Sequence, residues 1–204
     1  MKKTTALKPK CVLLDACIII EAHGMGLWEA LIEKAEIVVS SIVARDEALF
    51  YVKRQFTEAI DLQRLISEGK ITEVAATASQ LADLLALFDR SFIDGLDPGE
   101  AEALALITEN AVGGAHYCTG DIPAIQALAM LGYSERGISM EKLLKQSGLQ
   151  RHLRTQFTDR FFREKLEEGK ENRITGRGLN TQRPEPPRGR RANKSSTGKS
   201  RSHT

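Results

Sequence analysis

Four acidic residues, Asp15, Glu47, Glu100 and Asp121, stand where folding could gather carboxylates from distant parts of the chain. Asp15 ends the apolar run Val12-Leu13-Leu14, and Asp121 follows Ala115–Cys118 through the turn Thr119-Gly120. Glu47 lies on a helix predicted to open at Ser41 and run through Tyr51, where it shares a face with Val43, Phe50 and Tyr51. Glu100 shares a helical face with Leu104 and Ile107, and Glu102 stands in reserve on a more mixed face. Burying such charges without partners costs several kcal/mol, so four acids turned inward imply neutralising cations. Oxygen-only ligation suits Mg²⁺ or Mn²⁺ and not zinc, and such centres hydrolyse phosphodiesters. Each residue also has a simpler use. Asp15 and Asp121 could cap helices, Glu47 could reach solvent from the edge of its stripe, and Glu100 completes a capping box with Asp97.

The elements that must position these acids follow from periodicity. Short apolar runs at Cys11–Leu14, Glu36–Val39, Ile71–Val74 and Ala115–Cys118 read as strands, and helical spacing fills the intervals between them. Helices are predicted over Leu27–Ala35, Ser41–Tyr51, Thr57–Glu68, Ala78–Phe88, Pro98–Asn110 and Asp121–Leu131. Strands alternating with helices indicate an α/β domain whose small sheet is mostly parallel. A last amphipathic helix, residues 149–168, carries the stripe Leu149, Leu153, Phe157, Phe161 and Leu166. Beyond it, residues 169–204 lose apolar content and read as a disordered basic tail. That tail holds ten Lys and Arg against two Glu, a balance of +8, whereas the preceding residues hold 19 basic and 25 acidic, a balance of −6.

At 204 residues and 42% hydrophobic, the chain is long enough for one domain with an appendage. No apolar stretch approaches the roughly 20 residues that span a bilayer. The lysine-bearing N-terminus, Met1–Lys10, lacks the long apolar core of a signal peptide, and a cytoplasmic location is expected. Three cysteines without a CxxC pair argue against a disulfide framework and against a closed zinc site. Cys17 occupies the place where a phosphotransferase with an Asp15 nucleophile would carry a second Asp, which disfavours that chemistry.

Taken in order, Val12-Leu13-Leu14-Asp15, the Ser40-Ser41 start with Glu47, Gly99-Glu100-Ala101-Glu102-Ala103 and Cys118-Thr119-Gly120-Asp121 resemble the PIN-domain family of metal-dependent ribonucleases, in particular the VapC-type toxins. The resemblance covers residues 1–148 as a domain and is carried by residues 10 to 148. It implies a three-layer α/β/α fold and a site in which Asp15, Glu47, Glu100 and Asp121 hold one or two Mg²⁺ or Mn²⁺ ions. Thr119 would orient the last turn. The implied activity is endonucleolytic cleavage of RNA, with an antitoxin protein and a homodimer as implied partners and the Leu153–Phe161 stripe as their candidate surface. This chain departs from many relatives in having Ala16 and Cys17 directly after the first acid. A non-catalytic RNA-binding or adaptor protein on the same fold is the alternative.

Overall fold

The computed structural model describes residues 11–53 and 56–180. The lysine-rich Met1–Lys10 segment and the tail from residue 181 onward lie outside the described residues. The chain order is β1 (Val12–Leu14), α1 (Ala16–Gly24), α2 (Trp28–Lys34), β2 (Ile37–Ser40), β3 (Phe50–Lys53), β4 (Phe56–Ala59), α3 (Leu62–Ser67), β5 (Thr72–Val74), α4 (Ala78–Leu85), α5 (Arg90–Ile93), α6 (Pro98–Thr108), β6 (His116–Cys118), α7 (Ile122–Met130), β7 (Gly137–Ile138), α8 (Met140–Gln146) and α9 (Asp159–Thr175). Five strands form one sheet in the order β5-β2-β1-β6-β7, and every neighbouring pair in it is parallel.

The fold is a three-layer α/β/α sandwich, and the alternation of side chains along each strand divides its core. Val12, Leu14, Val39 and Cys118 face a cluster that includes Ile18, Leu31, Leu62 and Leu143. Leu13, Val38 and Tyr117 face the opposite cluster, with Leu104, Ile107, Ala124 and Leu128. No helix among the described residues is long and apolar enough to cross a membrane.

Three predicted elements are corrected. After Ser41 the chain does not continue as an α-helix to Tyr51. It makes a π-helical turn over Val43–Glu47, closed by the Ala48 N–H on the Val43 carbonyl at 3.0 Å, and then becomes the β3–β4 hairpin. The β-branched and aromatic run Phe50-Tyr51-Val52 favours a strand, and its spacing from Glu47 had suited a helix equally well. The following helix is accordingly shortened to Leu62–Ser67, with Asp61 accepting the Arg64 N–H at 2.9 Å as its cap.

The last helix is displaced rather than absent. Gly148, at φ +69°, ends α8, and Thr158 caps a new start at Asp159. The stretch between them has no regular structure apart from one 3₁₀ turn at Thr155–Phe157. Leu153 and Phe157 are buried in the chain's own core, so the stripe they belong to is not an exposed partner surface. The boundary drawn at Gly169 is also overturned, because α9 runs through it to Thr175 and the chain then folds back so that Leu179 pairs with Phe88. Gly169 looks like a terminator in sequence, but here it permits a close helix crossing. A Cβ on it would stand 2.5 Å from the Gln126 carbonyl oxygen and 2.8 Å from the Ala129 Cβ on α7. Gly169→Val should destabilise the protein by about 2 kcal/mol in urea unfolding through this overpacking; an unchanged midpoint would show that α9 does not depend on the crossing.

Candidate metal centre

The sheet reverses direction of winding at β1, which has β2 on one side and β6 on the other, and ligands in open parallel sheets bind at the carboxyl ends of such strands. Pairing of Leu14 with Cys118 brings the residues that follow both strands together. Asp15 is the N-cap of α1 and is 3% exposed. Its Oδ1 accepts the Ala16 N–H at 2.7 Å, and its Oδ2 accepts the Thr119 hydroxyl at 2.6 Å and the Cys17 thiol at 3.3 Å. The Thr119 hydroxyl in turn accepts the Asp121 N–H at 3.1 Å, so one side chain ties the two strand ends together. Asp121 occupies the N-cap position of α7, yet its carboxylate makes no capping bond.

Glu100 arrives from α6. Asp97, Pro98 and Glu100 form the predicted capping box, in which Glu100 Oε2 accepts the Asp97 N–H at 3.1 Å. Capping and site placement therefore coexist, because the carboxylate is buried and lines the same cavity as Asp15 and Asp121. Glu47 reaches that cavity from the end of the π-turn, not from an inward helical stripe. Its Oε1 accepts the Gly99 N–H at 2.8 Å, and a Cβ on Gly99 would overlap the carboxylate. A glycine ahead of Glu100 thus has a specific steric reason.

Glu102 is excluded from the cavity by its own bonds. It is 2% exposed and accepts the Ser41 hydroxyl at 2.7 Å, the Ile42 N–H at 2.7 Å and the Ala76 N–H at 3.0 Å. It holds the chain after β2 to the loop after β5, which removes it as the reserve ligand.

The cavity, about 360 Å³, is lined by Asp15, Ala16, Cys17, Ile20, Glu47, Asp97, Pro98, Glu100 and Asp121. Among the described residues no Lys, Arg or His lines it, and ligand atoms of Asp15, Cys17 and Asp121 lie within 4.8 Å of one another. Burial, followed by the Asp121 charge, pushes Asp15 up to about 7 against the lowering bonds from Thr119, Cys17 and Ala16. Burial and the charges of Asp15 and Asp121 push Glu100 up to about 8, opposed by the Asp97 N–H. Glu47 is raised by burial and by neighbouring Asp97, Asp46 and Glu102, with the Gly99 N–H acting the other way.

Cys17, which the sequence marks as a departure after the first acid but not as a site residue, lines the cavity as well. Its thiol donates to Asp15, and its sulfur accepts the Gly120 N–H at 3.3 Å. Burial and the charges of Asp15 and Asp121 raise it well above an ordinary thiol, so it sits there as a neutral S–H. Its position on the first turn after Asp15 was the available signal. The donors that remain are carboxylate oxygens, and such oxygens, with no cationic side chain beside them among the described residues, fit a hard divalent ion such as Mg²⁺ or Mn²⁺.

The chain matches no protein-family model and no curated protein.

The raised carboxyls set a pH dependence. Asp15 and Glu100 bind protons more tightly when folded than at their ordinary values of 3.8 and 4.5, so the folded state holds the extra protons. Stability in EDTA should therefore fall as pH rises from about 5 to 8, by on the order of 1–3 kcal/mol. Thermal melts should show this decline, a larger Mn²⁺ stabilisation at pH 8 than at pH 5, and a flatter profile for Asp15→Asn. A melting temperature that climbs over this range in EDTA would contradict the proton count.

Proposed function

We propose that the protein is a PIN-like, metal-dependent endoribonuclease that hydrolyses RNA phosphodiester bonds. The observation that carries this reading is that Asp15, Glu47, Glu100 and Asp121 line one cavity that no cationic side chain lines among the described residues, with ligand atoms of Asp15 and Asp121 within 4.8 Å of each other. A bound Mg²⁺ or Mn²⁺ would supply Lewis acidity and a coordinated water acidic enough to attack phosphorus near neutral pH.

The chain's own residues prepare that chemistry. Asp15 and Asp121 are presented from adjacent strand ends, and Thr119 fixes their separation by donating to one and accepting from the backbone of the other. Gly99 and the capping backbone of Asp97 orient Glu47 and Glu100. Ile20 and Pro98 supply apolar wall, which limits water and strengthens electrostatic interactions inside. Cys17 bears on the second reading, a non-catalytic RNA-binding or adaptor protein. Its thiol occupies an acceptor site on Asp15 Oδ2 that a ligated ion would need to share.

The PIN-like reading extends to a toxin of a toxin–antitoxin pair acting in the cytoplasm, with an inhibitor protein and a second copy as partners. With Leu153 and Phe157 buried, the apolar surface available to either is the β3–β4 hairpin. Phe50, Val52 and Phe56 are three of the five exposed large hydrophobic residues among those described.

Labelled RNA incubated with Mn²⁺ should be cut by the wild type, and Asp15→Asn and Asp121→Asn should fall to the level of the EDTA control. Thr119→Val should retain activity reduced on the order of 10-fold, as for other residues that orient ligands. Equal cleavage by wild type and both Asn variants would sink the catalytic reading. Truncation after Asn180 removes seven Lys and Arg and one Glu while leaving α9 whole. It should weaken RNA binding and flatten the salt dependence, and an identical slope of log affinity against log salt would exclude the tail from RNA contact.

A further inference from the structure

Glu102 lies on α6 two residues past Glu100, is buried and does not line the cavity. One of its oxygens accepts the Ser41 hydroxyl at 2.7 Å and the Ala76 N–H at 3.0 Å, and the other accepts the Ile42 N–H at 2.7 Å. Backbone N–H groups cannot turn round, so both oxygens must accept at once, which a carboxylate does and an amide does not. A glutamine would set its NH₂ against one of those N–H groups.

What Glu102 holds is the start of the segment that delivers Glu47. Ser41 and Ile42 lead from β2 into the π-turn Val43–Glu47, and the first N–H groups of such a turn need acceptors from outside it. Ser40 Oγ accepts the Val43 N–H at 3.3 Å, and Glu102 takes the Ile42 N–H. At the far end of the same turn, Glu47 Oε1 accepts the Gly99 N–H at 2.8 Å. Gly99 and Glu102 stand three residues apart on one helix, so α6 grips this segment at both ends. Winding with an i→i+5 bond is rare and occurs mostly as single turns, frequently at functional sites. Relaxation of this turn to ordinary α winding would redirect the carboxylate of its last residue, which is Glu47.

We infer that Glu102 is a positioning residue of the metal centre: by holding Ser41 and Ile42 it fixes the winding of the π-turn, and with it the place at which the Glu47 carboxylate enters the cavity. This rests on the metal-dependent reading of the site. Glu102 does not touch the ion or the reacting atoms and acts through Glu47. The merely structural alternative is a buried tie that stabilises the chain after β2 and does nothing else.

Mn²⁺ affinity measured by calorimetry separates the two roles through a double-mutant cycle. Glu102→Gln should bind Mn²⁺ about tenfold more weakly than wild type, the scale of other groups that orient a metal's ligands. Ser41→Ala, which loosens the same grip without altering any charge, should lose about threefold, the scale of one hydrogen bond. In a Glu47→Ala background neither substitution should weaken binding further, because the carboxylate they position is gone. Hydrogen exchange in EDTA gives a second readout: protection of the Ala48 and Gly99 amides should fall in Ser41→Ala, and in Glu102→Gln where it folds, while the strands of the five-stranded sheet stay protected. Losses of affinity that persist in full without Glu47, or wild-type affinity and unchanged Ala48 and Gly99 exchange in Ser41→Ala, would overturn the role of Glu102 and leave the metal reading standing. A wild type that binds no Mn²⁺ would overturn the metal reading and the role of Glu102 with it.

Discussion

Parallel pairing of β1 with β6 is the constraint on which the rest of the site depends. The Leu14–Cys118 rung joins residues more than a hundred positions apart, and the next step along both strands delivers Asp15 and Thr119 to each other. A slip of one residue in this ladder would turn Leu13 and Tyr117 to the opposite core and carry Asp15 away from Thr119. Burial of both sheet faces therefore sets the register, and the register sets the site.

Bringing carboxylates together opposes folding, and several features reduce that cost. Asp15 caps α1, Glu100 lies in the first turn of α6, and Asp121 stands at the start of α7, so three helix N-termini point their positive ends at one cavity. Backbone N–H groups of Ala16, Asp97 and Gly99 donate to Asp15, Glu100 and Glu47. These contacts do not cancel the cost of burial and of the neighbouring charges, which together displace Asp15 and Glu100 upward. Glu102, two residues from Glu100, is equally buried but fully supplied with donors, and no shared pocket makes it a ligand.

Support for the site also comes from elements remote in sequence. Helix α9 packs along α7 through the glycine crossing at Gly169, with Gln126 bonded to Glu168 at 2.8 Å, and α7 begins at Asp121. Phe157 lies against Gly120, where a Cβ would stand 2.6 Å from the ring. The C-terminal region is thus a brace on the turn that presents Asp121, not an addition to a domain already complete at residue 148.

The positions of β1, β2, β5 and β6, the alternating α/β order and the Asp97-Pro98-Gly99-Glu100 helix start were legible in sequence because each depends on local periodicity or capping within a few residues, whereas the two-residue edge strand β7 is too short to show a period. The acids at strand ends were legible for the same reason. The hairpin after Glu47 was not, since Phe50 and Tyr51 satisfy helical and strand spacing alike and only pairing with Phe56–Ala59 decides between them. Gly169 was misleading because a glycine that ends a helix and one that admits a neighbouring helix look identical without the neighbour. The sequence by itself determined the fold class and the carboxylates available to a site. Tertiary structure alone decided that Glu100 faces the cavity while Glu102 does not, that Cys17 rests on Asp15, and that Glu47 arrives by a π-turn. The physical reason is that hydrogen-bond partners, steric clearance and like-charge proximity are properties of residues distant in the chain.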